Sequence, residues 1–568
     1  MSILRDFRSR EIVADEARSG ESILLELPPM SPSNPTRGRV SPFLPSRLRT
    51  PPRSKSVVDS RRHDSVACIP GETATMSERR PKNRPPAFGM EMEEFLRAAR
   101  AAAEMAAEHL KGIERRPVFK PMTPEERVTL LTRPLPERPV AADTILEAIR
   151  SEVFSHAMGN GHPRFFGWVN SPPAPLGAIA DFLAASFDPS CAGGDHAAVY
   201  LERCAVRWLM ELVGFPVEGS MGLLVSGGSV ASLTCLGVAR QRIARENGWD
   251  IRKEGLAGKP QLVMYVSEEG HSCLLKSAEL MGLGERGVRV VPVNEEFRMD
   301  PPALERLIRE DRAAGRLPFC VAASAGTVST GAIDPLDDLA DLCGRERLWF
   351  HVDGAYGALG ILDPQLSDRY RGMDRCDSLA LDPHKWLSVP LECGCALVRD
   401  GNLLRDTFSR VPSYLRTEEG KGFGGLPWYS EYGFQQSRGF RALKLWAVLQ
   451  QAGREGIREQ VRRHCRLARS LAVRIRKEDE LELLADPMLS IVNFRSVPAR
   501  LRGQEEALDD LNKRLVEFLQ SDGKVFISGT QLRGRFSLRA CILHYATEES
   551  DLDFLVDRVT EATRSLTA

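Results

Sequence analysis

Between residues 222 and 398 short runs of continuous apolar character alternate with longer stretches of helical period. The runs fall at 222–225, 261–266, 288–293, 319–323, 349–352 and 395–398. A strand buried on both faces is apolar throughout, and parallel neighbours need a crossover, so the alternation predicts an α/β fold with a large, mostly parallel sheet covered by helices. Beyond about residue 442 the pattern changes to long helices, strand-like segments at 491–494, 524–527 and 536–542, and a last helix from about Glu549. That order reads as a smaller α+β domain. Ahead of the sheet, Phe95, Ala99, Ala102, Ala106, Leu110 and Ile113 recur at helical spacing and form one apolar stripe that must pack against something.

Residues 1–88 are rich in Pro, Ser and Arg and hold no apolar period, which predicts a disordered tail. A basic arm that binds a partner is the alternative to a solvated tail, and Met76 begins a plausible shorter chain. The division expected is therefore a tail at 1–88, a helical segment at 89–174, a large domain at 175–442 and a small domain at 443–568.

Composition narrows the partners. Lys plus Arg and Asp plus Glu are equal at 77 each, so no net charge favours nucleic acid or an anionic membrane, and a small molecule is the expected ligand. No window reaches the roughly 18 uninterrupted apolar residues of a membrane helix, and the first thirty residues mix acids and bases. The 12 cysteines form no CxxC pair and no Cys/His cluster at zinc spacing. They read as reduced thiols of a cytoplasmic protein with no metal site.

Five segments carry chemistry, each at the carboxyl end of an expected strand. Ser226-Gly227-Gly228-Ser229 opens a helix, where two glycines let backbone amides approach an anion; it also suits a plain strand-to-helix turn. Neither a GxxxxGK[ST] loop nor a GxGxxG fingerprint is present, which argues against nucleotides. His271 could stack on a flat ring or be a hydrogen-bonded loop histidine, and Thr327 could contact a ligand or serve its own turn. Asp353 ends an apolar strand and needs a cation, either a structural salt bridge or a protonated ring nitrogen. Lys385, between His384 and Trp386, is a surface lysine or a desolvated amine able to bond an aldehyde. An aldehyde, an anion and a ring nitrogen together describe pyridoxal 5′-phosphate (PLP).

In this order the segments resemble the PLP-dependent group II amino-acid decarboxylases, over residues from about 90 to the C-terminus. The resemblance implies fold-type I, the PLP-dependent transferase fold, with a homodimer whose N-terminal helices wrap the partner. It assigns Lys385 to the cofactor bond, Asp353 to the ring nitrogen and His271 to the ring face. Ser226, Gly227, Gly228, Ser229 and His384 are then the phosphate side, Thr327 a cofactor contact, and Ala355 the small residue under the ring. Tyr414, in Ser413-Tyr414-Leu415, is similar to the family's tyrosine that protonates the product carbon, where aldehyde synthases carry phenylalanine.

The activity so implied is decarboxylation of an L-amino acid to its amine. Phe165, Phe166 and Trp168 could wall an aromatic substrate pocket or simply be core. Asp382 and Gly354 depart from the Asn and Ala usual in the aromatic enzymes. A same-fold aldehyde synthase or carbon–carbon lyase, or a non-catalytic PLP-binding scaffold, are the alternatives.

Overall fold

The computed structural model describes residues 89–411 and 423–568. The expected tail at 1–88 and Tyr414 lie outside the described residues. The strands are β1 (Phe165–Phe166), β2 (Met221–Val225), β3 (Leu262–Ser267), β4 (Val288–Val291), β5 (Leu317–Ser324), β6 (Trp349–Asp353), β7 (Ser378–Leu381) and β8 (Gly394–Val398), then β9 (Leu481–Ala485), β10 (Ile491–Ser496), β11 (Phe526–Leu532) and β12 (Arg535–Cys541). Strands β2 to β8 build a seven-stranded sheet in the order β2-β8-β7-β6-β5-β3-β4. β8 alone runs against its neighbours β2 and β7, and the remaining pairs are parallel.

Alternation along the buried strands explains why they read as continuous apolar runs. Val263, Tyr265, Val321, Ala323, Phe350 and Val352 enter one core, with the helices Ala197–Val213, Pro301–Ala313 and Leu336–Glu346. Leu262, Met264, Val266, Cys320, Ala322 and Trp349 enter the opposite core, beneath the helices Gly228–Glu246 and Cys273–Leu280. With both faces covered, no polar alternation survives.

A second sheet has the order β1-β11-β12-β10-β9. The helices Glu505–Asp522 and Glu549–Thr567 cover it, together with the second half of the long helix Arg441–Lys477. That helix breaks at Gly453, whose φ of 60° is left-handed; its residues from Ala442 to Cys465 pack into the core of the large domain and those from Leu467 to Ile475 into the core of the small sheet. β1 pairs in parallel with β11, Phe165 opposite Phe526, and so stitches the N-terminal segment to the small sheet.

Two readings become more definite. The stripe beginning at Phe95 lies on the helix Met92–Lys111, but only Met105 of that helix is buried within the chain. Phe95 stacks on Phe182 at 6.4 Å while both remain exposed. Phe165 and Phe166 are core: Phe165 stacks on Phe526 at 4.8 Å, and Phe166 is wholly buried under the small sheet. No helix among the described residues is long and apolar enough to cross a membrane.

Candidate active site

The carboxyl ends of β2, β3, β5, β6 and β7 open on one cavity of about 540 Å³. Its wall includes Ser226, Gly227, Gly228, Ser229, His271, Thr327, Asp353, Ala355, His384 and Lys385. Open α/β sheets bind ligands at this edge, because the loops that follow the strands converge there. The structure thus gathers every expected cofactor residue into one place.

The turn after β2 leads directly into the helix Gly228–Glu246. A Cβ at Gly228 would stand 2.8 Å from Asp382 Oδ2 and 2.9 Å from the Ala355 methyl, so any side chain there would force its neighbours to shift. Bare backbone at a helix N-terminus is what an anion needs. His351, two residues before Asp353, holds this helix to β6: its ring lies 2.9 Å from Ser378 Oγ and 3.3 Å from Ser232 Oγ. Burial pushes the His351 pKa down to about 4, so the ring is neutral.

Asp353 is buried, and its Oδ1 accepts the Ala355 N–H at 3.1 Å. Among the described residues it forms no salt bridge, and it lines the cavity. His271 accepts the Cys273 N–H on Nδ1 at 3.2 Å, which fixes the ring at the start of the helix Cys273–Leu280. Although the residue is exposed overall, desolvation of the ring lowers its pKa, against the pull of Asp353 and with the push of Lys385.

Lys385 lies one turn beyond β7, its amide donating to the Asp382 carbonyl at 2.9 Å. Its Nζ is 3.0 Å from Asp382 Oδ2. His384 points Nε2 toward the same carboxylate at 3.7 Å and sets Nδ1 against the Cys393 backbone. Its pKa is lowered by burial, against the Asp382 charge. Behind the lysine, Trp386 stacks on Tyr356 at 5.2 Å and donates Nε1–H to His464 Nδ1 at 3.0 Å. Thr327 lines the cavity, but its hydroxyl serves its own turn, 2.9 Å from Thr330 Oγ1 and accepting the Ala332 N–H at 3.1 Å.

Trp168, expected as a possible substrate wall, lines the cavity at a φ of 46°, and sequence reasoning missed Asn170, Cys273 and Glu392, which line it too. Arg539 of β12 is buried and, among the described residues, donates to oxygens of neutral groups, including the Trp168 carbonyl at 3.1 Å and the Ser329 carbonyl at 3.2 Å. The guanidinium ties the small sheet to two segments of the cavity wall. An arginine inside an apolar strand was the available signal.

The carboxylate, the amine, the bare helix terminus and the small Ala355 floor fit a phosphorylated pyridine aldehyde. The model of the pyridoxal-dependent decarboxylase conserved domain matches residues 124–497. An aromatic-L-amino-acid decarboxylase from Bacillus atrophaeus is 33% identical over 81% of this chain and 93% of its own length. An acidic amino acid decarboxylase from Xenopus tropicalis is 29% identical over 78% of this chain and 87% of its own. A crystal structure of Oryza sativa TDC with PLP and tryptamine superposes with a TM-score of 0.79 at 26% identity, covering 86% of this chain and all of that one.

Proposed function

Since the chain belongs to the pyridoxal-dependent decarboxylase family, and is accordingly a PLP-dependent carboxy-lyase, we propose that it converts an aromatic L-amino acid to the amine and CO2 in the cavity at the strand ends. The convergence of Lys385, Asp353, His271 and the bare turn at Gly227 and Gly228 in that one cavity carries the reading. Bound PLP supplies an aldehyde for amine capture and a ring that withdraws electrons from the bond to the departing carboxylate.

In this reading Lys385 is the attachment point, and the amide groups after Ser226, with Ser229 and His384, take the phosphate. Asp353 turns its carboxylate to the ring nitrogen and keeps a proton there. Ala355 leaves room beneath the ring, His271 covers its other face, and Thr327 shapes the wall through its turn. Trp168, half exposed beside the cavity, offers an aromatic surface to the substrate side chain. Tyr414 donates the proton that completes the amine, an assignment that rests on its Ser-Tyr-Leu setting alone.

A homodimer belongs to the same proposal. Ile179 and Phe187 are 56% and 69% exposed beside the half-open stripe of Phe95, an apolar surface that a second copy would cover. The free thiols from Cys191 to Cys541 support a cytoplasmic setting.

The test uses full-length protein. Borohydride should fix PLP to Lys385, and a panel of L-amino acids should give most CO2 and amine with aromatic members. A label on another lysine, or a preference for acidic amino acids, would overturn the assignment.

A further inference from the structure

Trp168, Val169 and Asn170 follow one another along the cavity, and the chain around Asn170 is tied down on both sides. Before it, Arg539 holds the Trp168 carbonyl at 3.1 Å and the Val169 side chain enters the core of the large domain. After it, Ser171 Oγ donates to the His384 carbonyl at 3.0 Å, and the Ser171 carbonyl accepts from Asn160 Nδ2 at 3.0 Å. Asn170 itself is half-buried and lines the cavity, yet its side-chain amide has no hydrogen-bond partner among the described residues. That amide offers an acceptor oxygen and two N–H donors on a backbone already fixed in place. Water satisfies them until a substrate takes its place. From then on the substrate must supply the partner, or the amide is stranded.

The other lining groups limit what that substrate is. Lys385 is the one lysine or arginine among the described residues of the wall, against three acidic residues, Asp353, Asp382 and Glu392. Glu392 already has its cation in Arg441 at 2.7 Å. An amino acid with a second carboxylate meets like charge there and no spare cation, whereas a neutral side chain with a polar group meets the open amide. We propose that Asn170 is a specificity-determining residue: its amide reads a polar group on the substrate's ring, a phenol hydroxyl or an indole N–H, while the neighbouring Trp168 takes the ring face. The amide oxygen accepts from either group, and the amide N–H also serves a hydroxyl. A plain phenyl ring displaces the same water and gives nothing back, so phenylalanine is the poor member of the aromatic class.

This inference rests on the aromatic decarboxylase reading and can fail separately from it. Full-length protein loaded with PLP is assayed for CO2 release from L-tyrosine, L-tryptophan and L-phenylalanine, and calorimetry measures its binding of tyramine, tryptamine and phenethylamine. In the unmodified chain kcat/KM for tyrosine or tryptophan should exceed that for phenylalanine by about 10-fold. Asn170→Leu, similar in size and without polar atoms, should abolish that preference through KM and weaken binding of the matching amine about as much. Turnover of phenylalanine and binding of phenethylamine should hold or improve. Asn170→Ala repeats the comparison, so a folding failure in one variant does not decide it. An unmodified chain without the preference, or variants that keep it in both turnover and amine binding, would overturn the proposal and leave the aromatic reading intact. No turnover of any of the three amino acids would overturn both.

Discussion

Removing Arg438 should cripple both the stability of the chain and its hold on the cofactor. β2 is an edge strand of the large sheet, and the backbone of Leu224 points away from β8 into protein. An edge strand leaves such groups unpaired unless something covers them. Here a buried ion pair does so: Glu202 accepts the Leu224 N–H at 2.9 Å, while Arg438 donates to the Leu224 carbonyl at 2.6 Å, the Cys191 carbonyl at 2.9 Å and Glu202 Oε2 at 3.0 Å. Burial works against the Arg438 charge, and the facing Glu202 more than offsets it.

Arg438→Leu leaves the fully buried Glu202 with one donor and two carbonyls without theirs. Breaking such a pair from one side costs about 3–5 kcal/mol, a large part of the roughly 5–15 kcal/mol that holds a domain together. With an m of roughly 3 kcal/mol/M, the urea midpoint falls by about 1 M. Adding Glu202→Gln removes the stranded charge while keeping an acceptor for Leu224, so the double variant should recover at least about 1 kcal/mol. Because Ser226 follows two residues later, PLP retention after gel filtration should fall with stability. A loss below about 1 kcal/mol in the single variant, or a double variant no better than it, would refute the reasoning.

Three further outcomes are expected. Burial holds His351 and His544 down to about 4 and His464 to about 3, against an ordinary value of 6.5. The unfolded chain therefore binds more protons as pH falls from about 6.5 to 4, so each such histidine withdraws about 3 kcal/mol of stability across that window, and a flat urea midpoint between neutral pH and about pH 5 would refute this. Asp353→Asn should keep PLP, as judged by absorbance, yet lose at least about 10²-fold in CO2 release; near-normal turnover would remove it from the ring nitrogen. Tyr414→Phe should still release CO2 while its amine yield drops about 10²-fold in favour of aldehyde under air, and an unchanged amine yield would take Tyr414 out of the chemistry.

The large sheet was legible because its strands are buried on both faces and therefore continuous in sequence, as in β3 and β6. The residues expected to hold a cofactor could be singled out because they lie at or just beyond the carboxyl ends of apolar runs. What escaped has partners far away along the chain. Glu202 looks like a surface acid of a helix until Arg438 is brought to it from 236 residues on. β7 is four residues long and was read only as apolar sequence before Asp382, and β1 has two residues, too few for any period. Phe165 and Phe166 could be read as substrate wall or as core, because aromatic clusters carry no mark of which face is wet. The stripe at Phe95 was real, but its expected burial is not met within a single chain.

The short strand β1 also sets a clock on biosynthesis. Phe165 reaches its place only when Phe526 is available, about 360 residues later in translation. At roughly 5–20 residues per second, a ribosome takes some 20–70 s to deliver that partner. All seven strands of the large sheet emerge before then, since the last ends at Val398. The N-terminal seam is thus sealed only after the large sheet is complete in sequence, and a nascent chain halted before β11 lacks the strand that pairs with β1 and the Phe526 ring on which Phe165 stacks.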